Sequence, residues 1–244
     1  MKNTIFLSLL VLMISPSLIA QIIGNNTEEL KKVKEKKISP TYAFIDFNHT
    51  NSFRDLSQNT DFLTIPLGER AYEEALKIWS YQLGINTGIK PNLRFEGGMK
   101  FLQTGEQYTY QGALGGDSTF NAQSKYRYLS MPLQLKWEKG NQFRFSIGGG
   151  LQAQLYINYL QNQQWTTSLG GPKEAKIEQN IYCNSFALSA LGEMGLHYFG
   201  KNNYGVFCKM TYRYQITNTY IKTADYQHLS KGLGLSFGLS KNIE

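Results

Sequence analysis

The sequence predicts an all-β protein, an eight-stranded antiparallel up-and-down transmembrane β-barrel, and three observations support this. From residue 77 onward, apolar residues alternate with small or polar ones at a period of two, which is typical of strands. Short and long connections between the alternating runs follow one another strictly. The non-apolar side of the runs is rich in glycine, serine and glutamine, as the narrow interior of a small barrel requires.

The composition excludes several other classes of protein. The 244 residues are 41% hydrophobic, 14% aromatic and 18% charged, which argues against a disordered chain. Two cysteines cannot build a disulfide scaffold or a four-ligand zinc site. The mean hydropathy of −0.36 excludes a bundle of membrane-spanning helices. It permits membrane-spanning strands, in which only every second residue must be apolar.

The first 40 residues predict export. Residues 1–20 combine a positive charge at Lys2, an apolar run and a small residue at Ala20, which is typical of a signal peptide. Cleavage after Ser17 is an alternative to cleavage after Ala20. Residues 21–40 are expected to form a charged periplasmic tether, and residues 41–240 the barrel domain. The mature chain carries a formal charge of +6 without basic residues interleaved with aromatics, so no nucleic-acid partner is expected.

Seven alternating runs and one blurred run give the eight strands. The clear runs are 79–89, 93–101, 129–137, 143–157, 186–198, 204–214 and 233–239, and the blurred one is Thr41–Asn48. The connections 90–92, 138–141 and 200–203 are short and predicted to be periplasmic. The connections 49–76, 108–124, 160–181 and 216–226 are long and predicted to be extracellular, with a possible helix at residues 70–78.

The apolar side of the strands is predicted to face lipid rather than to line a soluble, lipocalin-like barrel. Aromatic residues cluster near the strand ends, as expected at the level of lipid headgroups. They are Trp137, Phe143, Tyr198 and Tyr204 at the turn end, and Trp79, Tyr159, Tyr212 and Tyr214 at the loop end. Lys231 has lipid-facing parity near the loop end, where it can snorkel.

The opposite side of the strands is predicted to form a polar network that plugs the lumen. Its charged members, six positive and two negative, are Arg94, Glu96, Lys100, Lys136, Arg144, Glu193, Lys209 and Arg213. Buried charges must be paired and hydrogen-bonded, and eight strands enclose only enough room for side chains. An open channel is therefore not expected.

One segment resembles a known family. Tyr128–Trp137, with the sequence YLSMPLQLKW, is followed by a short turn and the glycine-rich strand Phe145–Leu151. This arrangement resembles the PorT-like outer-membrane β-barrel proteins of Bacteroidota, over about residues 77–239. The resemblance implies an eight-stranded outer-membrane barrel and makes Pro132 a family feature, although Pro132 removes a hydrogen-bond donor from the sheet. It implies no single activity; one member serves type IX secretion and gliding.

The sequence offers few candidates for catalysis. His197 is predicted to be a hydrogen-bonded core residue of the lumen. His49 and His228 lie near loop ends, and Asp46, Asp61 and Asp225 are close to them in sequence, so an Asp/His pair can be imagined. No phosphate-binding loop, His-Glu-x-x-His motif or nucleophile elbow is present. No cofactor or metal site is expected.

The long loops are the remaining candidates for function, because exposed loops on a rigid scaffold commonly carry binding sites. The apolar loop residues Phe62, Leu63, Ile65, Leu67 and Trp165 either dock a partner or fold over the barrel mouth. The expected protein is a monomeric, non-enzymatic outer-membrane barrel in contact with outer-membrane lipid and lipopolysaccharide, and with other envelope proteins. A component of a type IX secretion or gliding complex is the alternative, and a lipid-modifying enzyme is less favoured.

Overall fold

The computed structural model describes residues 40–58, 72–111, 119–167, 170–178, 183–200, 202–222, 224 and 226–243. The predicted signal peptide, all but the last residue of the tether, and the loop residues Phe62, Leu63, Ile65 and Leu67 lie outside these ranges. Within them, no helix is long and apolar enough to cross a membrane.

Nine strands make up the described part of the chain. They are β1 (Tyr42–Gln58), β2 (Glu73–Lys90), β3 (Leu93–Gln111), β4 (Thr119–Gly140), β5 (Phe143–Thr167), β6 (Gly170–Ile177), β7 (Phe186–Phe199), β8 (Tyr204–Gln215) and β9 (Tyr226–Asn242).

Eight of these strands close into a ring, which confirms the predicted eight-stranded antiparallel barrel. The order is β1-β2-β3-β4-β5-β7-β8-β9, and β9 pairs with β1 from Tyr42↔Asn242 to Gln58↔Tyr226. The ninth strand, β6, lies outside the ring as the second arm of a hairpin with the upper end of β5. The ring leaves no open edge within its wall, which is the requirement for spanning a membrane with strands.

The predicted short turns are confirmed between β2 and β3, β4 and β5, and β7 and β8. Gly140, which precedes the second of these turns, has a φ of +132°. A Cβ atom at this position would lie 2.0 Å from the carbonyl oxygen of Phe143, so only glycine fits there. Asn203, in the third turn, adopts a left-handed conformation with a φ of 63°.

The strands are longer at the loop end than the sequence predicts. β1 continues to Gln58, and β5 runs to Thr167, so Trp165 belongs to a strand rather than to a loop. The predicted helix at 70–78 is wrong for its described part, because β2 begins at Glu73. Leu76 and Ile78 alternate into the barrel and pair with β1, and this cross-strand pairing overrides the helical propensity of the segment.

The outer face of the ring is apolar over the height of a bilayer. On β4 the outward residues from Leu129 to Trp137 are all apolar, and these nine residues span about 30 Å along a tilted strand. Because barrel strands are tilted by about 35–45°, this length corresponds to a height close to that of the apolar band, about 25 Å, around outer-membrane barrels. Trp137, predicted at the turn end, and Trp79, predicted at the loop end, both point outward. The predicted lipid-facing side is confirmed.

Tyr159 is the exception among the predicted lipid-facing aromatics. The register of β4 against β5 shifts between Arg127 and Tyr128, where Ile157 of β5 has no cross-strand partner and forms a β-bulge. The extra residue reverses the alternation beyond it. Tyr159 therefore points into the barrel, where its ring centroid lies 4.9 Å from that of Tyr126.

The position of the band can be checked with single-tryptophan variants reconstituted in vesicles of brominated phospholipid. We expect the fluorescence of Trp79 and Trp137 to be quenched, because both indoles lie on the lipid-facing wall. Trp165 lies eight residues beyond the β5 bulge at Ile157 and should not be quenched. Equal quenching of all three would contradict the assigned band.

Candidate functional site

Five charged residues from five strands meet in the turn-side half of the lumen. We call Asp46, Glu96, Lys136, Glu193 and Lys209 the ion cluster. Lys136 Nζ lies 2.6 Å from Glu96 Oε2 and also contacts Glu193. Lys209 Nζ lies 3.4 Å from Glu96, 3.5 Å from Asp46 and 3.6 Å from Glu193. Both ammonium groups are almost completely buried, so each depends on the carboxylates around it.

A second charged group lies nearer the short turns. Glu138 accepts a hydrogen bond from Arg144 Nη1 at 3.0 Å and lies 3.8 Å from Arg94 Nε. It also accepts one from the hydroxyl of Tyr42 at 3.2 Å. Arg94 donates in addition to the backbone oxygen of Pro40 at 2.7 Å. These contacts fasten the end of the barrel where the described chain begins.

Aromatic side chains form the floor of the lumen at the same end. Tyr42, Phe44, Phe199 and Phe207 are buried together. His197 stacks on Phe207 with ring centroids 5.2 Å apart. The prediction of a buried lumen histidine is confirmed, but the predicted hydrogen bonding is wrong, since neither ring nitrogen has a partner among the described residues. Stacking takes its place.

All eight predicted lumen charges lie inside the barrel, but the sequence reasoning missed three acidic residues. Asp46, Glu106 and Glu138 are also buried. Counted with the eight predicted residues, they reduce the excess of positive charge from +4 to +1. Glu106 and Glu138 share the parity of predicted lumen residues on β3 and β4, so extending the alternation beyond the clear runs would have identified them. Asp46 lies in the blurred run of β1, where the sequence gives no clear alternation.

The middle of the lumen is less tightly paired. Arg213 donates to Ser230 Oγ at 2.7 Å and to Ser189 Oγ at 3.3 Å, and no carboxylate of the described strands pairs with it. Lys100 has no carboxylate within ion-pair distance among the residues described, and it lines a small polar cavity together with Pro132. Pro132 pairs with β5, whereas the β3–β4 ladder is interrupted beside it between Leu133 and Ser130. The missing donor therefore falls where the sheet is already open.

Glu106 is the centre of a separate cluster at the mouth of the barrel. It accepts hydrogen bonds from Tyr126 at 3.2 Å and Arg54 at 3.4 Å. Arg54 also donates to Glu73 at 2.8 Å. Burial, followed by the charge of Glu106, raises the pKa of Tyr126, so the phenol stays protonated as a donor. His228 Nε2 lies 3.4 Å from the other oxygen of Glu106.

The predicted Asp/His pair is replaced by a Glu/His pair at this mouth cluster. His228 Nδ1 also lies 2.8 Å from Thr219 Oγ1, which gives the hydroxyl, imidazole and carboxylate order of a nucleophilic triad. However, Thr219, His228 and Glu106 are only 2%, 0% and 5% exposed. A substrate carbonyl has no approach to the hydroxyl in this arrangement, which fits a structural hydrogen-bonded core.

The other histidine candidate is on the opposite side of the wall. His49 points toward lipid, with its ring centroid 4.8 Å from that of Trp79. Asp46 points into the ion cluster, so the alternation of β1 separates it from His49. Asp61 and Asp225 lie outside the described residues. Lys231 takes the predicted outward position and bonds Asp55 at 2.6 Å.

The ion cluster makes a direct prediction for stability. Lys209→Met keeps the side-chain length but leaves three buried carboxylates with Lys136 alone. We expect the free energy of unfolding to fall by about 3–5 kcal/mol, the usual cost of removing one partner of a buried ion pair. Urea titration in lipid vesicles measures it. The exposed Lys139→Met is the matched control, and an equal effect of both variants would contradict the role of the cluster.

The comparisons with known proteins give fold-level similarity only. No family model and no curated protein matches the chain. Among solved structures, OprG of Pseudomonas aeruginosa is 11% identical, with a TM-score of 0.45 over 84% of this chain and 98% of that one. Neisserial surface protein A is 14% identical, with a TM-score of 0.42 over 85% and 99%. The Escherichia coli outer membrane protease OmpT is 10% identical, with a TM-score of 0.39 over 89% and 100%. The chain itself, with its closed ring and apolar band, has the architecture of an outer-membrane β-barrel.

Proposed function

We propose that this protein is a non-enzymatic outer-membrane barrel that acts as a structural or interaction protein through its extracellular side. The observation that carries the proposal is the filled lumen. Charged residues from five strands bond to one another across it, and aromatic rings close its turn end. A lumen occupied in this way leaves no path for conduction, so activity must lie on the outside of the barrel.

The strands that extend beyond the membrane offer the surface for such a role. β3, β4, β5 and β6 form a continuous sheet above the apolar band. Trp165 lies opposite Phe120 on the side of this sheet that continues the lumen face, and Phe120 lies opposite Tyr110. Tyr72 packs edge-on to Tyr110, at 5.4 Å between centroids. Rigid aromatic side chains of this kind are common anchors in protein interfaces.

An epitope insertion tests the orientation that the proposal requires. An epitope placed between Thr167 and Gly170, at the tip of the β5–β6 hairpin, should bind antibody on intact cells. The same epitope placed between Gly200 and Asn202, in the turn before β8, should bind only after permeabilisation. The protein should also fractionate with outer membranes and migrate anomalously unless heated. The opposite labelling, or recovery as a soluble periplasmic protein, would overturn the proposal.

The absence of enzymatic activity is tested at the two histidines. Because His228 is buried in the mouth cluster and His49 faces lipid, neither His228→Gln nor His49→Gln should change the acylation of lipid A in cells expressing the protein. Mass spectrometry of extracted lipid A measures this against cells carrying an empty vector. A modification that requires the wild-type protein and is lost in either variant would establish an enzyme.

The secretion or gliding role implied by the family resemblance stays a prediction. No feature of the described residues favours it over other interactions at the cell surface. Identification of proteins that co-purify after gentle detergent extraction is the measurement that separates these roles.

A further inference from the structure

Three basic residues lie on the outer wall at the loop-side limit of the apolar band. Lys77 follows Trp79 on the outward side of β2, and Arg127 and Lys125 follow Leu129 on that of β4. Their outward direction follows from the alternation, since the residues on both sides of Lys77 and of Arg127 are buried. The three cations therefore lie at the level of the lipid headgroups in the extracellular leaflet.

The three residues occupy neighbouring positions on one sector of the wall. β3 separates them, with Gln103 opposite Arg127 and Gly105 opposite Lys125. β2 and β4 are two strand spacings apart, or about 10 Å. Gly105 has no side chain, and Gln103 is neutral and donates to the backbone oxygen of Trp79 at 3.1 Å. Flexible lysine side chains on both sides of β3 can thus converge on one anion.

The described residues do not neutralise the charge of this sector by ion pairing. None of the three cations has a carboxylate within 4.0 Å among the described residues, whereas Lys231 on β9 is paired with Asp55 at 2.6 Å. The lowered pKa of Glu178 is caused mainly by Lys176, which bonds it at 2.9 Å, and only to a smaller extent by Arg127. Glu74 lies three residues farther out along β2 than Lys77. Arg127 Nε is shielded from solvent and has no hydrogen-bond partner within the described part of the chain.

We propose that Lys77, Lys125 and Arg127 bind the phosphate groups of a lipid A-type glycolipid in the outer leaflet. Arginine offers paired donors to phosphate oxygens, and the two lysines add point charges. Phe101 and Leu129, directly below on β3 and β4, give the acyl chains an apolar wall to pack on. The site goes beyond the proposed function and depends on it only for the orientation of the barrel.

The test measures binding of bis-phosphorylated lipid A to the detergent-solubilised full-length protein by native mass spectrometry. Combined Lys77→Gln, Lys125→Gln and Arg127→Gln should weaken binding about tenfold or more, since each basic group near such a surface contributes attraction. Lys90→Gln, Lys139→Gln and Lys241→Gln together remove the same charge at the turn end and should leave binding unchanged. If the triple variant does not fold, the single Lys125→Gln variant is measured instead, and a smaller loss of lipid A binding is expected.

The nature of the lipid is resolved in the same experiment. Dephosphorylated lipid A and phosphatidylglycerol should both bind more weakly than bis-phosphorylated lipid A. Equal weakening by both triple variants would show that net charge alone acts, and equal binding of phosphatidylglycerol would remove the glycolipid assignment. Heat-dependent migration and surface labelling of the variants show separately whether the barrel is folded and correctly oriented. A failure of the proposed function can therefore be distinguished from loss of the lipid site alone.

Discussion

The ion cluster in the lumen is the interaction on which the rest of the barrel depends. Neighbouring strands are already held by their backbone ladder, but Lys136 and Lys209 connect strands that do not touch one another in the ring. Burial makes these contacts obligatory, because an unpaired charge in this interior is costly. The cluster thereby links opposite sides of the wall and fills the turn-side half of the lumen.

Most of the barrel follows from the sequence because alternation is a local property. A residue such as Glu96 is placed inside by its own run, without knowledge of any partner, and Leu129 is placed on the lipid side in the same way. The order of short and long connections is equally local, and it is enough to give an up-and-down ring of eight strands. The side chains of the eight predicted lumen charges lie on the inner face for this reason.

The errors lie where a non-local contact decides the outcome. The bulge at Ile157 depends on the register of β4 against β5, and one extra residue moves Tyr159 from lipid to lumen. The segment Glu73–Ile78 has a helical composition, but pairing with β1 and β3 makes it a strand. The partners of a charge, such as Glu106 for His228, come from strands far apart in sequence, and no spacing in the chain reveals them.

The two faces of the wall at the mouth follow opposite electrostatic rules. On the lumen face, Arg54 is balanced by Glu73 and Glu106, because a buried guanidinium without a counter-charge would destabilise the fold. On the outer face of the wall, Lys77 and Arg127 lie at the level of the lipid headgroups, where an unpaired charge costs little. Charges that the fold does not need to neutralise stay available to an external anion. The difference between paired and unpaired cations therefore separates residues that stabilise this barrel from residues that can bind something else.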